Sequence, residues 1–230
     1  MIPDLHLTGD SQCFPFYTYN EDGTNRRENI TDESLAAFQT HYADPTITKQ
    51  DIFAYIYALL QHPDYRTRYK ENLKRELPRI PFVANAATFR SLADAGNTLL
   101  ILHTSYETAD EYPLKDEFDP DATLAETFHV EKMRLLDDRT AIRINPYLTL
   151  RGIPPTAHDY KLGSRSALDW VIDQYRVKGD SDPNRADDPG YIVSLVKRIV
   201  TVSVKTVEIV AGLPPLGLGN SDAETDTVAV

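Results

Sequence analysis

The chain has 230 residues, is 41% hydrophobic and 26% charged, and sets 24 basic residues against 35 acidic ones for a net charge of −11. These proportions are those of a soluble globular chain and exclude collagen, a continuous coiled coil and wholesale disorder. The acidic balance argues against a non-specific nucleic-acid binder, which needs a dense positive field, and leaves room for a site-specific reader with one basic face.

The first 30 residues are irregular and polar, with aromatics at Phe14, Phe16, Tyr17 and Tyr19. They are expected as an extended segment laid on a core. Met1-Ile2-Pro3-Asp4 shows no basic or apolar leader pattern. No apolar run reaches the ~18–20 residues that cross a bilayer. A single cysteine, Cys13, makes no internal disulfide and no cysteine metal cluster. The expected compartment is the cytoplasm.

Thr31-Asp32-Glu33-Ser34 opens a helix to about Tyr42, with acids in the first turn where the helix dipole favours them. Pro45 breaks it. Thr48 with Asp51 three residues later is a near capping box, and Ile52, Tyr55, Ile56, Leu59 and Leu60 form an apolar stripe at helical spacing. Pro63 ends that helix. A third helix is expected from about Asp64 to Leu77, with Tyr65, Tyr69 and Leu73 on one face and basic residues around the other. Pro78 and Pro81 bracket an extended piece. A fourth helix is expected from about Ala87 to Tyr106, with Gly96 a weak point in its middle.

Glu107 to Glu126 holds eight acids and one base, Lys115, and reads as an exposed acidic loop. Three short strands follow: Val130–Leu136, Thr140–Ile144 and Tyr147–Arg151, with a turn at Asp137-Asp138. Ser164 or Ser166 caps a helix over about Ala167–Tyr175. Lys178–Asp188 is turn-rich. From Pro189 onward the valines alternate as in a strand, but the polar positions Ser194, Lys197, Arg198, Thr201, Lys205 and Glu208 recur at helical intervals for longer, so a helix is expected. Residues 214–230 are small and polar and are expected to be a disordered tail. The fold class is α+β: a helical part at about 31–108, and a small antiparallel sheet with helices at about 128–213.

Catalytic signatures are absent. There is no phosphate-binding Gly-x-x-x-x-Gly-Lys loop, no His-Glu-x-x-His and no Gly-x-Ser-x-Gly elbow. The six histidines are scattered. His103 and Glu107, four apart, would share one face of a helix and make a minor enzymatic alternative. Asn145-Pro146-Tyr147 approximates the Asn-Pro-Pro-Tyr loop of adenine methyltransferases, which stacks a flipped base. One proline is missing and no methyl-donor motif precedes it, so a turn between strands is the better reading.

The bases gather in two places. Asp64–Ile80 holds six against three acids, and Glu131–Arg165 holds seven against four. Each segment can meet a phosphate backbone, because every Lys or Arg that displaces a condensed counterion gains entropy.

Several blocks together are similar to one family. They include Cys13-Phe14-Pro15, Asp51-Ile52-Phe53-Ala54-Tyr55, His62-Pro63-Asp64-Tyr65-Arg66 and Lys74-Arg75-Glu76-Leu77-Pro78-Arg79-Ile80-Pro81. Val130-Glu131-Lys132-Met133-Arg134, Leu148-Thr149-Leu150-Arg151-Gly152-Ile153-Pro154, Ser166-Ala167-Leu168-Asp169-Trp170, Asp182-Pro183-Asn184 and Tyr191-Ile192-Val193 follow. In order and spacing, from about Cys13 to Leu213, they resemble the C-terminal specificity domain of type ISP restriction–modification enzymes. Two departures are a short Lys178–Asp188 loop and Asp169 where Glu is common.

The resemblance implies a target-recognition domain over 31–213 that acts in phage defence. It implies double-stranded DNA as partner, together with methyltransferase and helicase/nuclease modules of the same enzyme or of a neighbouring subunit. It implies no catalysis and no cofactor in this chain, with methyl donor, ATP and Mg confined to the other modules. On charge, the DNA contacts are expected at Arg66, Lys70, Lys74, Arg75 and Arg79 and at Lys132, Arg134, Arg139 and Arg143. The alternative is a docking module that couples to the methyltransferase without reading bases, marked by an apolar patch near the N-terminal segment.

Overall fold

A computed structural model describes residues 14–74, 77–218 and 227–228. The fold is α+β, as the sequence pattern implies, and divides into two compact units: Met1–Thr104 with Ile209–Val230, and Ser105–Glu208.

The first unit opens with a hairpin of β1 (Tyr17–Thr18) and β2 (Arg27–Glu28). Helix α1 (Asp32–Tyr42) is capped by the Thr31 side chain and ends on Ala43 in the left-handed region. Helix α2 (Lys49–Gln61) starts with the full capping box of Thr48 and Asp51. His62 closes α2 and caps α3 (Pro63–Arg68), with Pro63 in the first turn where a missing N–H costs nothing. The His62 Nδ1 accepts from the Asp64 amide, so its Nε2 carries the proton donated to the Pro214 carbonyl at 3.1 Å.

The third helix is far shorter than its apolar spacing implies. After Arg68 the chain tightens into a 3-10 turn at Asn72–Lys74. Tyr65, Tyr69 and Leu73 keep the spacing of a helix, but periodicity alone does not separate an α-helix from an interrupted one.

Strand β3 (Ile80–Pro81) is extended, as its flanking prolines demand, and is held by tyrosines. Tyr65 donates to the Arg79 carbonyl (2.7 Å), Tyr55 to that of Pro81 (2.6 Å) and Tyr42 to that of Val83 (3.2 Å). Three hydroxyls thus take every second carbonyl, doing the work of a neighbouring strand. Burial pushes the Tyr42 and Tyr65 hydroxyls up to about 12 and Tyr55 higher still. These donors therefore keep their protons throughout the neutral range. Phe38, fully buried, sits edge-on or tilted to Tyr42, Tyr55, Phe82 and Phe89 at the centre of this core.

Helix α4 (Ala86–Thr104) runs straight through Gly96. The glycine is required: a Cβ there would lie 1.8 Å from the Ala54 carbonyl oxygen of α2. The residue that weakens α4 locally is the one that lets two helices touch backbone to backbone. Residues 214–218 are not a free tail, contrary to expectation. Leu216 is buried in the core, and the Ala84 amide donates to its carbonyl. Thr227–Val228 pairs antiparallel with β3. The rest of the expected tail lies outside the described residues.

The second unit holds a four-stranded antiparallel sheet. In chain order its elements are β4 (Lys115–Phe118), α5 (Leu124–Phe128), β5 (Arg134–Leu135), β6 (Ala141–Arg143) and β7 (Leu148–Arg151). The sheet order is β4-β7-β6-β5. The Glu107–Glu126 segment is therefore not a plain acidic loop, since it supplies the edge strand β4 and most of α5. Its carboxylates have work to do. Glu126 closes a capping box on α5 with Thr123. Asp116 and Glu111 pair with Lys197 at 2.8 and 3.7 Å.

The small hairpin β8 (Lys161–Leu162) and β9 (Arg165–Ser166) leads into α6 (Ala167–Gln174), capped by Ser166. Helix α7 (Tyr191–Ala211) is the long final helix, beginning two residues after Pro189. Its valines alternate, yet Ser203 and Thr206 turn their buried hydroxyls onto the Ile199 and Val202 carbonyls one turn back, satisfying them inside the helix.

Gly96→Ala is expected to destabilise the chain by about 3 kcal/mol or more through overpacking, read as a shift of the urea midpoint. His103, half-buried and bonded to the Tyr57 hydroxyl at 2.7 Å, has its pKa pushed down by desolvation from 6.5 to about 4. The unfolded chain therefore binds more protons between these values. Stability is full above about pH 6.5 and is lost as the pH falls towards 4. His103→Gln should flatten that acid limb in denaturation curves recorded across pH 4–7.

Candidate nucleic-acid interface

The turn between β6 and β7 is built on one side chain. Asn145, 9% exposed, directs its amide nitrogen at the carbonyls of Glu126, Thr127 and His129 (3.0, 2.9 and 2.8 Å). Its oxygen accepts from the Tyr147 and Leu148 amides, both at 2.8 Å. The orientation is unambiguous, because a flipped amide would face three carbonyls with an oxygen. Asn145 thus stitches the end of α5 to the β6–β7 turn and has no capacity left for a flipped base. The Asn-Pro-Tyr segment is a structural turn.

That stitching forms one wall of an open groove of about 630 Å³, lined by Glu126, His129, Glu131, Lys132, Arg134 and Tyr147. A smaller concavity beside it shares His129, Glu131 and Lys132 and adds Val177 and Asp182. The loop behind it is pinned: Asn184 donates to the Val130 carbonyl (2.9 Å) and accepts from the Val130 amide (2.8 Å), as a neighbouring strand would. The groove therefore offers fixed walls, two exposed bases, two acids and an aromatic ring. Such a mixed donor–acceptor surface suits base edges better than it suits a simple polyanion.

The expected contact residues divide between the two units. Lys132 and Arg134 are exposed and share the groove, and Arg143 faces Arg134 across β5–β6. Arg139 stands apart, in the turn after β5 with a left-handed φ of 57°. It donates to His158 Nδ1 (3.1 Å) and pairs with Asp169 (3.4 Å), while His158 Nε2 donates back to its carbonyl. Its geometry is that of a turn brace. Arg66, Lys70 and Arg79 are exposed in the first unit but not on one helical face, because α3 stops at Arg68. The Lys74 side chain and Arg75 lie outside the described residues.

The selection of contacts on charge left out Thr149, which the sheet sets beside Arg143; Lys115 and Arg151, on the same sheet, are engaged by Glu117. The alternation Leu148-Thr149-Leu150-Arg151 carried that signal, since the leucines are buried and the polar pair is not. The His103–Glu107 alternative dissolves, because α4 ends at Thr104 and the two are not on one helix. His103 is engaged with Tyr57, and Glu107 accepts from the Tyr191 hydroxyl at 2.8 Å. Among the described residues no group of three or more His, Cys, Asp or Glu can hold a metal ion. No helix among them is long and apolar enough to cross a membrane.

Comparison with known proteins places the chain. The family model described as the Type ISP C-terminal specificity domain matches residues 1–200. The chain belongs to that family. Three solved structures are similar to this specificity domain. One is the cryoEM structure of a DrdV–DNA complex, 40% identical with a TM-score of 0.74, matched over 88% of this chain and 21% of that one. A nuclease-deletion mutant of the Type ISP restriction–modification enzyme LlaGI, in complex with a DNA substrate mimic, is 32% identical, with a TM-score of 0.71 over 90% and 18%. The ATP-dependent Type ISP enzyme LlaBIII bound to DNA is 28% identical, with a TM-score of 0.72 over 87% and 13%. The chain thus spans between about an eighth and a fifth of the length of these structures. No curated protein matches.

The capping geometry accounts for Asp169. It is the carboxylate of the Ser166 capping box, a position where Glu serves equally. Asn145→Ala is expected to lower stability by about 2–4 kcal/mol, since it orphans several buried main-chain groups at once. Asn145→Asp should do no better at neutral pH, because its carboxylate would oppose three carbonyls. Urea unfolding of the two variants checks both.

Proposed function

We propose that this specificity domain recognises a target sequence in double-stranded DNA and presents it to a methyltransferase and a nuclease/translocase located elsewhere. The single observation that carries the reading is family membership over 200 residues, reinforced by three similar structures that are all DNA complexes. The groove beside Asn145 supports it with rigid walls, an aromatic ring and both donors and acceptors. A base-flipping methyltransferase needs a second body that grips the duplex, and this chain supplies such a surface without chemistry of its own. ATP, magnesium and the methyl donor belong to the other modules in this reading. The site of action is the cytoplasm, where invading phage DNA is met.

One observation favours the docking alternative. In the first unit Phe14, Ile30, Phe53, Ile56, Leu60, Leu77 and Pro78 line an apolar depression, and Phe14 and Leu77 are 51% and 57% exposed. A protein partner would cover such a surface.

The test is duplex binding by the chain across a salt series. DNA recognition predicts a log–log salt dependence that lowers affinity at least about ten-fold between about 50 and 200 mM salt. A docking module without DNA contacts predicts no saturable duplex binding, with capture of the methyltransferase module independent of DNA.

A further inference from the structure

The sheet of the second unit presents one face to solvent, and its register orders the charges there. Residues paired across the four strands on that face run Arg134, Arg143, Thr149 and Glu117 from β5 to β4. On the opposite face the corresponding row is Leu135, Ile142, Leu150 and Asp116, in which Ile142 and Leu150 are fully buried. The row of arginines is therefore held in place by a hydrophobic row beneath it.

At the β4 end the charges balance. Glu117 is held by Arg151 on the neighbouring strand and by Lys115 on its own, the latter at 3.1 Å. At the β5 end nothing balances. Arg134 and Arg143 stand directly opposite each other, both exposed, and among the described residues neither has an ion pair or hydrogen bond to an acid. Directly opposed residues in an antiparallel pair have Cα atoms only about 4.5–5.5 Å apart, and like charges so placed are destabilising. Of the groove carboxylates, Glu126 is committed to its capping box, and Glu131 makes no ion pair with either arginine.

We propose that Arg134 and Arg143 form a clamp for one phosphodiester of duplex DNA, with the half-buried Thr149 hydroxyl as a neutral third donor beside Arg143. The assignment rests on the DNA-recognition reading above and deepens it. Two guanidiniums on adjacent strands converge on one tetrahedral anion, and each offers planar paired donors suited to phosphate oxygens. The anion also removes the repulsion between them. A base reader, by contrast, must be held in fixed geometry by neighbouring groups. No side chain among the described residues braces these two, and phosphate contacts tolerate that freedom because they position the duplex without specifying sequence. The clamp sits next to the groove that Arg134 also lines, so a backbone held there would lay neighbouring base edges along His129, Lys132 and Tyr147.

The test compares the whole 230-residue chain with its R134Q/R143Q variant in titrations against a mixed-sequence duplex at several salt concentrations, with thermal melts of both. The double variant is expected to bind about ten-fold more weakly or worse, with a salt slope shallower by about 0.9, the value for one phosphate. Its melting temperature should stay level or rise, because the repulsion is gone. R134K/R143K should keep the salt slope but recover only part of the affinity. Wild-type affinity and slope in the double variant would dismiss the clamp and leave DNA recognition standing. A lowered melting temperature accompanying the loss would make the pair structural and overturn the proposal. Failure of the unaltered chain to bind any duplex at about 50 mM salt would remove the recognition reading, and the clamp with it.

Discussion

The Asn145 side chain governs the shape of the candidate interface. Two amide hydrogens are shared among three carbonyls, and one oxygen takes two amides, all nearly out of reach of water. An inward-facing network of this kind is costly when incomplete and rigid when complete. Here it is complete. It fixes where α5 ends relative to the β6–β7 turn, which fixes the register of β6 on β7, which in turn decides which residues reach the exposed face of the sheet. A one-residue slip would exchange Arg143 for Ile142 and dismantle both the hydrophobic row and the charged one.

The net charge of −11 gives a poor picture of the surface. Several acids are employed: Asp44 and Asp51 hold Arg90, Asp116 and Glu111 hold Lys197, Glu117 holds Arg151, and Asp51, Glu126 and Asp169 cap helices. Arg134, Arg143 and Lys132 have no such partner among the described residues. A cationic spot can therefore persist in an acidic protein where neighbouring acids such as Glu117 and Glu126 are engaged locally. Of the expected bases, one group belongs to the first unit, the other to the second, and Arg139 braces a turn.

Much of the fold was legible in the sequence. Thr48 with Asp51, the capping serine before Ala167, and the prolines at 63, 78 and 81 mark their elements because caps and prolines act over three or four residues. The misreadings share a cause. The interruption of α3, the strand hidden in the acidic segment and the ordered 214–218 stretch all depend on distant partners: Tyr65 on Arg79, β4 on β7, and Leu216 on Ala84. Gly96 reads as a weakness locally and becomes a requirement only when Ala54 is brought against it. The site divides in the same way. Family blocks and charge pointed to Lys132, Arg134 and Arg143, whereas Thr149 became visible only through the sheet register and His129 only through the groove it lines.

The central claim is that DNA is met by the second unit, on the surface spanning residues 131–151. Amide hydrogen exchange of the chain with and without saturating duplex tests it most directly. Protection concentrated in the peptides covering β5, β6 and the Asn145–Leu148 turn is the predicted result. Saturable binding with protection confined to other segments, and none between 131 and 151, would contradict it.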